Sequence, residues 1–150
     1  MLKGINPLLT PELLKVLMEM GHDDALVLAD ANFTAMSIAA GKPVLRLPGI
    51  PMLQAVQAIN SVLPLASDVD HPVFFMQVGG TQCPYLSELQ RDVLGLLAPD
   101  LLPGQTAQPL ERFAFYDHAR SAYAIVLTGE CQPFGNFILR KGVIGENLRP

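Results

Sequence analysis

The sequence predicts an α/β fold: a single domain in which a mostly parallel sheet is covered by helices on both faces. Three observations predict it. Short, continuously apolar runs bounded by turn residues recur along the chain, and such runs are typical of strands that are buried on both faces. Segments with apolar residues at helical spacing alternate with these runs. No repeat, linker or low-complexity tract divides the 150 residues, so one domain over 1–150 is expected.

The first half of the chain alternates helical and strand patterns. Thr10 is a candidate N-cap for an amphipathic helix that Gly21 terminates. The run ALVLA at 25–29 predicts a buried strand that ends directly before an acid. A second strand is predicted at 43–49 and a second helix at 51–63.

The second half continues the alternation. Its predicted elements are, in order, a strand at 72–78, a turn at 79–84, a helix from about Tyr85 to Leu97, a loop at 101–109 that touches an edge strand, a helix at 111–122, and strands at 123–130 and 137–143.

Composition points to an assembly of subunits and away from nucleic acid. Half of the residues are hydrophobic, only 16% are charged, and the mean hydropathy is +0.32. This is more apolar surface than a 16.2 kDa monomer readily hides, so we expect an obligate oligomer. The formal charge of −4 and the scattered Lys and Arg residues give no footprint for a phosphate backbone.

The sequence also predicts a cytoplasmic protein without a membrane span or metal. Its apolar stretches are interrupted before the ~20 residues that a membrane helix needs. The first 20 residues lack the basic start and cleavage site of a signal peptide. Cys83 and Cys131 are far apart, without metal-ligand spacing, which favours two reduced thiols.

Polar residues that follow the predicted strands are the candidates for chemistry, because ligands bind beyond the carboxyl ends of parallel strands. Asp30 follows ALVLA, while VGGTQ and TGECQPFGN follow later strands. His22 instead precedes its strand, and five extended residues at ~3.3 Å each place it roughly 16 Å or more from Asp30. A site that uses both needs a loop that folds back, or two subunits.

Each candidate also has a structural interpretation. His22 suits proton transfer near neutral pH, but it can equally satisfy the last carbonyls of the preceding helix. Asp30 can cap the next helix through the amides of Asn32 or Phe33. VGGTQ lacks the spacing of a phosphate loop and favours a plain turn. His71 is expected to be solvated.

The segment RFAFYDHARSAY favours core packing over a binding site, because its aromatic residues have helical spacing. Its polar members are Arg112, Tyr116, His118 and Arg120. The chain has no Ser-His-Asp elbow, no HExxH and no dinucleotide fingerprint.

Four segments together resemble the L-fucose mutarotase and D-ribose pyranase family. They are TPELLKVLMEMGH at 10–22, DDALVLADANF at 23–33, ERFAFYDHA at 111–119 and AIVLTGECQPFGNFILRKGV at 124–143. The motifs RFAFY and LRKGV favour the fucose branch over the ribose branch. The resemblance implies a three-layer α/β fold and a homodecamer with active sites between neighbouring subunits. It also implies that sugar anomers are interconverted without a cofactor.

The resemblance assigns roles to six residues. The proton-donor histidine of the family falls on His22, and the sugar-binding positions fall on Asp30, Arg112, Phe134, Gly135 and Asn136. In the implied mechanism the histidine transfers the proton, the aspartate and arginine hold hydroxyls, the asparagine orients the ring, and the aromatic residue packs on its apolar face.

Two positions depart from the family pattern. Phe134 stands where the family has tyrosine, and Asn32 stands where the fucose branch has histidine. The expected function is therefore mutarotation of L-fucose or a similar sugar. Three alternatives stay open: interconversion of pyranose and furanose forms of ribose, monosaccharide binding without catalysis, and a purely structural oligomer.

Overall fold

The computed structural model describes residues 2–82 and 85–145, in which six strands form one sheet. The elements are α1 (Pro11–Glu19), β1 (Ala25–Ala29), α2 (Ala35–Ala39), β2 (Val44–Leu47), α3 (Met52–Asn60), β3 (Val73–Met76), α4 (Glu88–Leu97), a 3-10 turn (Ala98–Asp100), β4 (Ala107–Leu110), α5 (Arg112–Ser121), β5 (Ala124–Thr128) and β6 (Phe137–Arg140).

The strand order β2-β5-β1-β6-β3-β4 confirms the mostly parallel sheet. The β2–β5, β5–β1 and β3–β4 pairs are parallel, whereas β6 runs antiparallel to both of its neighbours, β1 and β3. Five strands therefore end at one edge of the sheet, which we call the carboxyl edge, and β6 begins there. The opposite edge is the amino edge.

Helices cover both faces, as predicted. Leu26 and Leu28 of β1 point toward α1, α3 and α4, while Val27 and Ala29 point toward α2 and α5, since successive strand residues face opposite sides. All four side chains are fully buried. The apolar run that predicted a doubly covered strand is therefore the centre of the sheet.

The first helix begins as the sequence predicts, and the contacts at its C-terminal end show whether His22 satisfies its last carbonyls. The hydroxyl of Thr10 accepts a hydrogen bond from the Leu13 amide at 3.2 Å. At the other end, Nζ of Lys141 donates to the carbonyls of Leu17 and Met20. These hydrogen bonds come from a lysine that directly follows the distant strand β6, so the interpretation of His22 as the group that satisfies these carbonyls is wrong.

Three elements differ from the sequence-based expectations. The segment at 101–109 was expected to be a loop, but its end contributes to β4, an edge strand that tolerates Pro109 because only one side of it is paired. A helix was expected soon after Asp30 with that residue as its cap, but α2 begins only at Ala35, and its N-cap residue Thr34 makes no side-chain hydrogen bond. Helix α4 begins at Glu88, later than Tyr85, because Ser87 forms a capping box with Gln90.

Within the described ranges, no helix is long and apolar enough to cross a membrane. Cys131 is a free, exposed thiol, and Cys83 lies outside the described residues.

Candidate active site

A single loop at the carboxyl edge builds the candidate site around the end of β1. Strands β5 and β6 lie on either side of β1, so the segment 129–136 that connects them crosses the end of β1. The Ala31 amide donates to the carbonyl of Glu130 at 2.7 Å and ties this crossing loop to the β1 end. Asp30, which directly follows β1 and is covered by this loop, is only 5% exposed.

Asp30 and Asn136 form a buried pair with two reciprocal hydrogen bonds. The Asp30 amide donates to Oδ1 of Asn136 at 2.8 Å, and Nδ2 of Asn136 donates to Oδ2 of Asp30 at 2.8 Å. The Asn32 amide donates to Oδ1 of Asp30 at 3.0 Å, but this is a turn contact: α2 begins at Ala35 with Thr34 as its N-cap residue, so the expectation that Asp30 caps that helix is wrong. The pair is held rigidly, because backbone groups fix both partners.

Burial raises the pKa of the Asp30 carboxyl above its ordinary value, and the nearby charge of Glu130 adds to this effect. The hydrogen bonds from Asn136 and from the Asn32 amide act in the opposite direction, because they stabilise the ionised form. The site thus contains a desolvated carboxylate whose charge is partly compensated by two donors.

Gln90 supports this pair from below and was not singled out from the sequence. Its side chain is fully buried, and Nε2 donates to the carbonyls of Met76 at 2.7 Å and Phe134 at 3.3 Å. The Met76 amide in turn donates to the Asn136 carbonyl at 3.0 Å. A glutamine at N3 of a helix indicates a capping box, but its contacts to two other segments have no sequence signal.

Phe134 and Gly135 shape the crossing loop. Phe134 adopts a left-handed backbone conformation with φ of 62°, and the tip of its ring lies against Gly79, where an added Cβ would sit 3.0 Å from Cζ. A Cβ on Gly135 would approach the Leu89 side chain to 2.9 Å and the Gln132 carbonyl to 3.1 Å. A side chain at Gly79 or at Gly135 would therefore collide with its neighbours.

Arg112 lies at the same edge, three strands away from Asp30. It begins α5, whose N-terminus is capped by Oε2 of Glu111 through the Phe113 amide at 2.7 Å. Its guanidinium lies 4.6 Å from the centre of the Phe113 ring. The residue borders a depression of about 180 Å³ that also includes Gly79. Strand spacing puts its backbone about 14 Å from Asp30, within reach of a ligand between them.

His22 lies at the amino edge, so one chain does not bring it to Asp30. The turn at 21–24 does not fold back, because the Asp23 amide donates to the Lys141 carbonyl at 2.8 Å. The His22 ring instead borders an apolar hollow of about 370 Å³ whose walls include Met18 and Ile144. Of the six predicted site residues, Asp30, Phe134, Gly135 and Asn136 are together, Arg112 is across the same edge, and His22 is apart.

The weaker candidates have structural contacts. The ring of Tyr116 packs edge-on against Phe33 at 5.6 Å, and the ring of His118 packs against Phe74 at 5.0 Å between ring centres, with the two planes tilted by 52°. His71, expected to be solvated, is half-buried, and its Nδ1 lies 3.0 Å from the Thr106 hydroxyl. In the part of the chain that the structure describes, no three His, Cys, Asp or Glu residues are arranged to hold a metal ion.

Comparison with known proteins gives consistent matches along the chain. Residues 3–144 match the model of the RbsD / FucU transport protein family. A relative from Actinobacillus pleuropneumoniae serotype 5b named L-fucose mutarotase is 44% identical over 147 residues, which covers 95% of this chain and 97% of the relative.

Two solved structures share the fold over nearly the whole chain. FucU from Bifidobacterium longum superposes with a TM-score of 0.86 at 41% identity, covering 95% of this chain and 100% of that one. The fucose mutarotase from Streptococcus pneumoniae in complex with L-fucose superposes with a TM-score of 0.85 at 37% identity, covering 96% of this chain and 100% of that one.

Proposed function

Because the chain belongs to the RbsD / FucU transport protein family, we propose that it is a mutarotase that interconverts the anomers of L-fucose or a closely similar sugar. The observation that carries the proposal is the buried Asp30–Asn136 pair at the carboxyl edge. A carboxylate oxygen has more than one lone pair. The Asp30 oxygens can therefore accept hydrogen bonds from sugar hydroxyls in addition to those from the Asn32 amide and Nδ2 of Asn136.

Mutarotation needs one proton-transfer group and a pocket that holds the sugar. A base takes the proton of the anomeric hydroxyl, the bond between C1 and the ring oxygen breaks, and the ring oxygen takes up a proton. The open-chain aldehyde rotates about its C1–C2 bond and closes on the other face by the reverse steps. A positioned acid or base contributes about 10²- to 10⁴-fold, enough for a reaction that proceeds slowly unaided.

The residues divide between recognition and proton transfer. In the proposal, Asp30 and Arg112 hold hydroxyl groups, Asn136 orients the ring, and the Phe134 face packs on the apolar side of the sugar. In the proposal, Gly135 lies between Phe134 and Asn136 in the loop that precedes β6, and these two residues contact the same sugar. His22 transfers the proton, since imidazole is the side chain best suited to give and take protons near neutral pH.

The separation of His22 from Asp30 calls for two subunits in each site. The two residues lie at opposite ends of the same strand, so the amino edge of one copy must meet the carboxyl edge of the next. Such a head-to-tail contact uses two different surfaces and closes into a ring when the rotation permits. We propose an assembly of this type, up to the homodecamer that the family resemblance implies.

Exposed apolar side chains lie on both surfaces that this contact would join. Around His22 they are Met18, Val143 and Ile144, which are 82%, 64% and 87% exposed. At the carboxyl edge, Phe113 beside Arg112 is 59% exposed. The group around His22 lines one hollow and is of the kind found at protein interfaces, which agrees with the high hydrophobic content of the sequence. We also propose a cytoplasmic location, where the exposed Cys131 thiol stays reduced.

Saturation-transfer NMR on a panel of L-fucose, D-ribose, D-galactose and L-rhamnose tests the proposal. We expect anomer exchange to be fastest with L-fucose, and His22→Ala to abolish exchange while light scattering shows an unchanged assembly. His118→Ala is the matched control, because this exposed histidine packs its ring against Phe74 and has no role in the proposed site. Pyranose–furanose exchange of ribose alone, binding without exchange, or wild-type exchange in His22→Ala would each contradict the proposal.

A further inference from the structure

We infer that Asp68 is a positioning residue for His22 and holds its imidazole in the orientation and tautomer that proton transfer requires. This inference rests on the proposed function, because it concerns the histidine to which proton transfer is assigned. Nε2 of His22 lies 3.1 Å from Oδ1 of Asp68, across a separation of 46 residues in sequence. Local chain geometry does not impose a contact between segments so far apart.

The backbone on the His22 side is already fixed. The Gly21 amide donates to Oδ2 of Asp24 at 2.7 Å, and the Asp23 amide donates to the Lys141 carbonyl at 2.8 Å. The turn that carries His22 is thus held by the side chain of Asp24 and by the backbone of Lys141, which follows β6. What remains free is the rotation of the imidazole, which the Asp68 contact restricts.

The segment that carries Asp68 is fixed as well. Nε2 of Gln105 donates to the carbonyls of Ala66 at 2.9 Å and Val69 at 2.7 Å, on either side of Asp68. The Ala66 amide also donates to the Arg140 carbonyl at 2.9 Å. Asp68 is therefore presented from an anchored segment, and its distance from His22 is a property of the fold.

The contact determines which imidazole nitrogen faces the substrate. An ionised carboxylate only accepts hydrogen bonds, so Nε2 of His22 must carry the proton that it shares with Asp68. Nδ1 is then the nitrogen with a free lone pair in the neutral ring, and it becomes the proton donor in the charged ring. An aspartate is ionised at neutral pH, and the hydrogen bond from His22 lowers the pKa of Asp68 further below its ordinary value.

The charged groups on neighbouring elements have other partners. Arg140 pairs with Asp23, and Lys141 binds the carbonyls at the end of α1. The carboxylate that contacts the imidazole is that of Asp68. This arrangement resembles other sites in which a carboxylate orients a functional histidine through its second nitrogen and favours the charged form that arises during reaction.

Two variants of Asp68 and one control test the inference. Asp68→Ala should lower the exchange rate at saturating sugar by about 10- to 100-fold with little change in KM, because Asp68 orients the histidine and does not touch the sugar. Asp68→Asn keeps an acceptor oxygen and removes the charge, so its rate should fall less. Asp70→Asn, an exposed neighbour whose backbone alone is hydrogen-bonded, should keep the wild-type rate.

The protonation pattern of the imidazole ring separates positioning from a structural role, because only a positioning contact fixes which ring nitrogen carries the proton. In ¹⁵N spectra of the protein, which has only three histidines, the His22 ring should show Nε2–H in the wild type and a tautomer mixture in Asp68→Ala.

The outcomes distinguish this inference from the proposed function. If His22→Ala abolishes exchange but both Asp68 variants keep the wild-type rate and the wild-type His22 tautomer, the role of Asp68 is overturned and the mutarotase proposal stands. Unchanged ¹⁵N signals of the His22 ring in a folded Asp68→Asn variant of reduced rate overturn it too, and this test remains even if Asp68→Ala fails to assemble. Wild-type exchange in His22→Ala refutes the proposed function itself.

Discussion

Truncation of Asn136 to alanine should lower the free energy of unfolding by about 2–4 kcal/mol at pH 7. The side chain accepts from the Asp30 amide and donates to the Asp30 carboxylate, each at 2.8 Å, and it is 2% exposed. A buried amide without a partner costs about 1–3 kcal/mol, and a hydrogen bond to a charged group contributes about 1.5–3 kcal/mol. A water that enters the vacated space can hydrogen-bond to the Asp30 amide and carboxylate. The expected loss of about 2–4 kcal/mol is therefore smaller than the sum of the two costs.

The destabilisation should depend on pH. The hydrogen bond from Asn136 lowers the pKa of Asp30 against the raising effect of burial, so its loss raises that pKa further. A carboxyl whose folded pKa exceeds its unfolded pKa contributes stability at low pH, and this contribution is lost as the pH rises through the folded value. The variant should therefore be closer to the wild type at pH 5 than at pH 8.

Urea unfolding at one fixed protomer concentration measures this difference, because the stability of an assembly depends on concentration. Asn32→Ala is the matched control: its exposed side chain is removed, but the backbone amide that donates to Asp30 is kept. A loss below about 1 kcal/mol for Asn136→Ala, or an equal loss at pH 5 and pH 8, would refute this account of the pair.

Two further substitutions probe the crossing loop. Gly135→Ala should reduce both stability, by about 1–3 kcal/mol, and anomer exchange, because the new Cβ would lie 3.1 Å from the Gln132 carbonyl; wild-type melting and exchange would contradict this. Phe134→Tyr should bind L-fucose up to about tenfold more tightly, since the added hydroxyl offers the sugar one hydrogen bond. NMR titration measures the change, and lost exchange with an intact assembly would count against L-fucose as the ligand.

Most of the sheet was predictable because its strands carry their signal locally. ALVLA is apolar at every position, and so short an apolar run between turn residues is typical of a strand covered on both faces. Thr10 and Pro11 likewise define the start of α1 by chemistry within one turn. The edge strand β4 carries no such run, because only one of its sides is paired, and its segment AQPL gave no strand pattern.

The candidate site was predictable in part. Position after a strand singled out Asp30, and resemblance singled out Asn136, but the two hydrogen bonds between them join segments 106 residues apart. The contacts of Gln90 and of Asp68 are of the same kind, since each depends on which strands become neighbours. Sequence patterns report the environment of one segment, whereas strand order decides which distant segments meet.

The position of β1 in the sheet has a consequence for how the protein is made. Both of its neighbours, β5 and β6, come from residues 124–140, so roughly 95 residues follow β1 before its first partner begins. At about 5–20 residues per second, the ribosome needs about 5–20 s to supply that partner. Throughout that interval the most apolar strand of the nascent chain has no hydrogen-bonding neighbour. The dependence on chaperones during synthesis should therefore be set by β1, and a nascent chain stalled before residue 124 should aggregate through it.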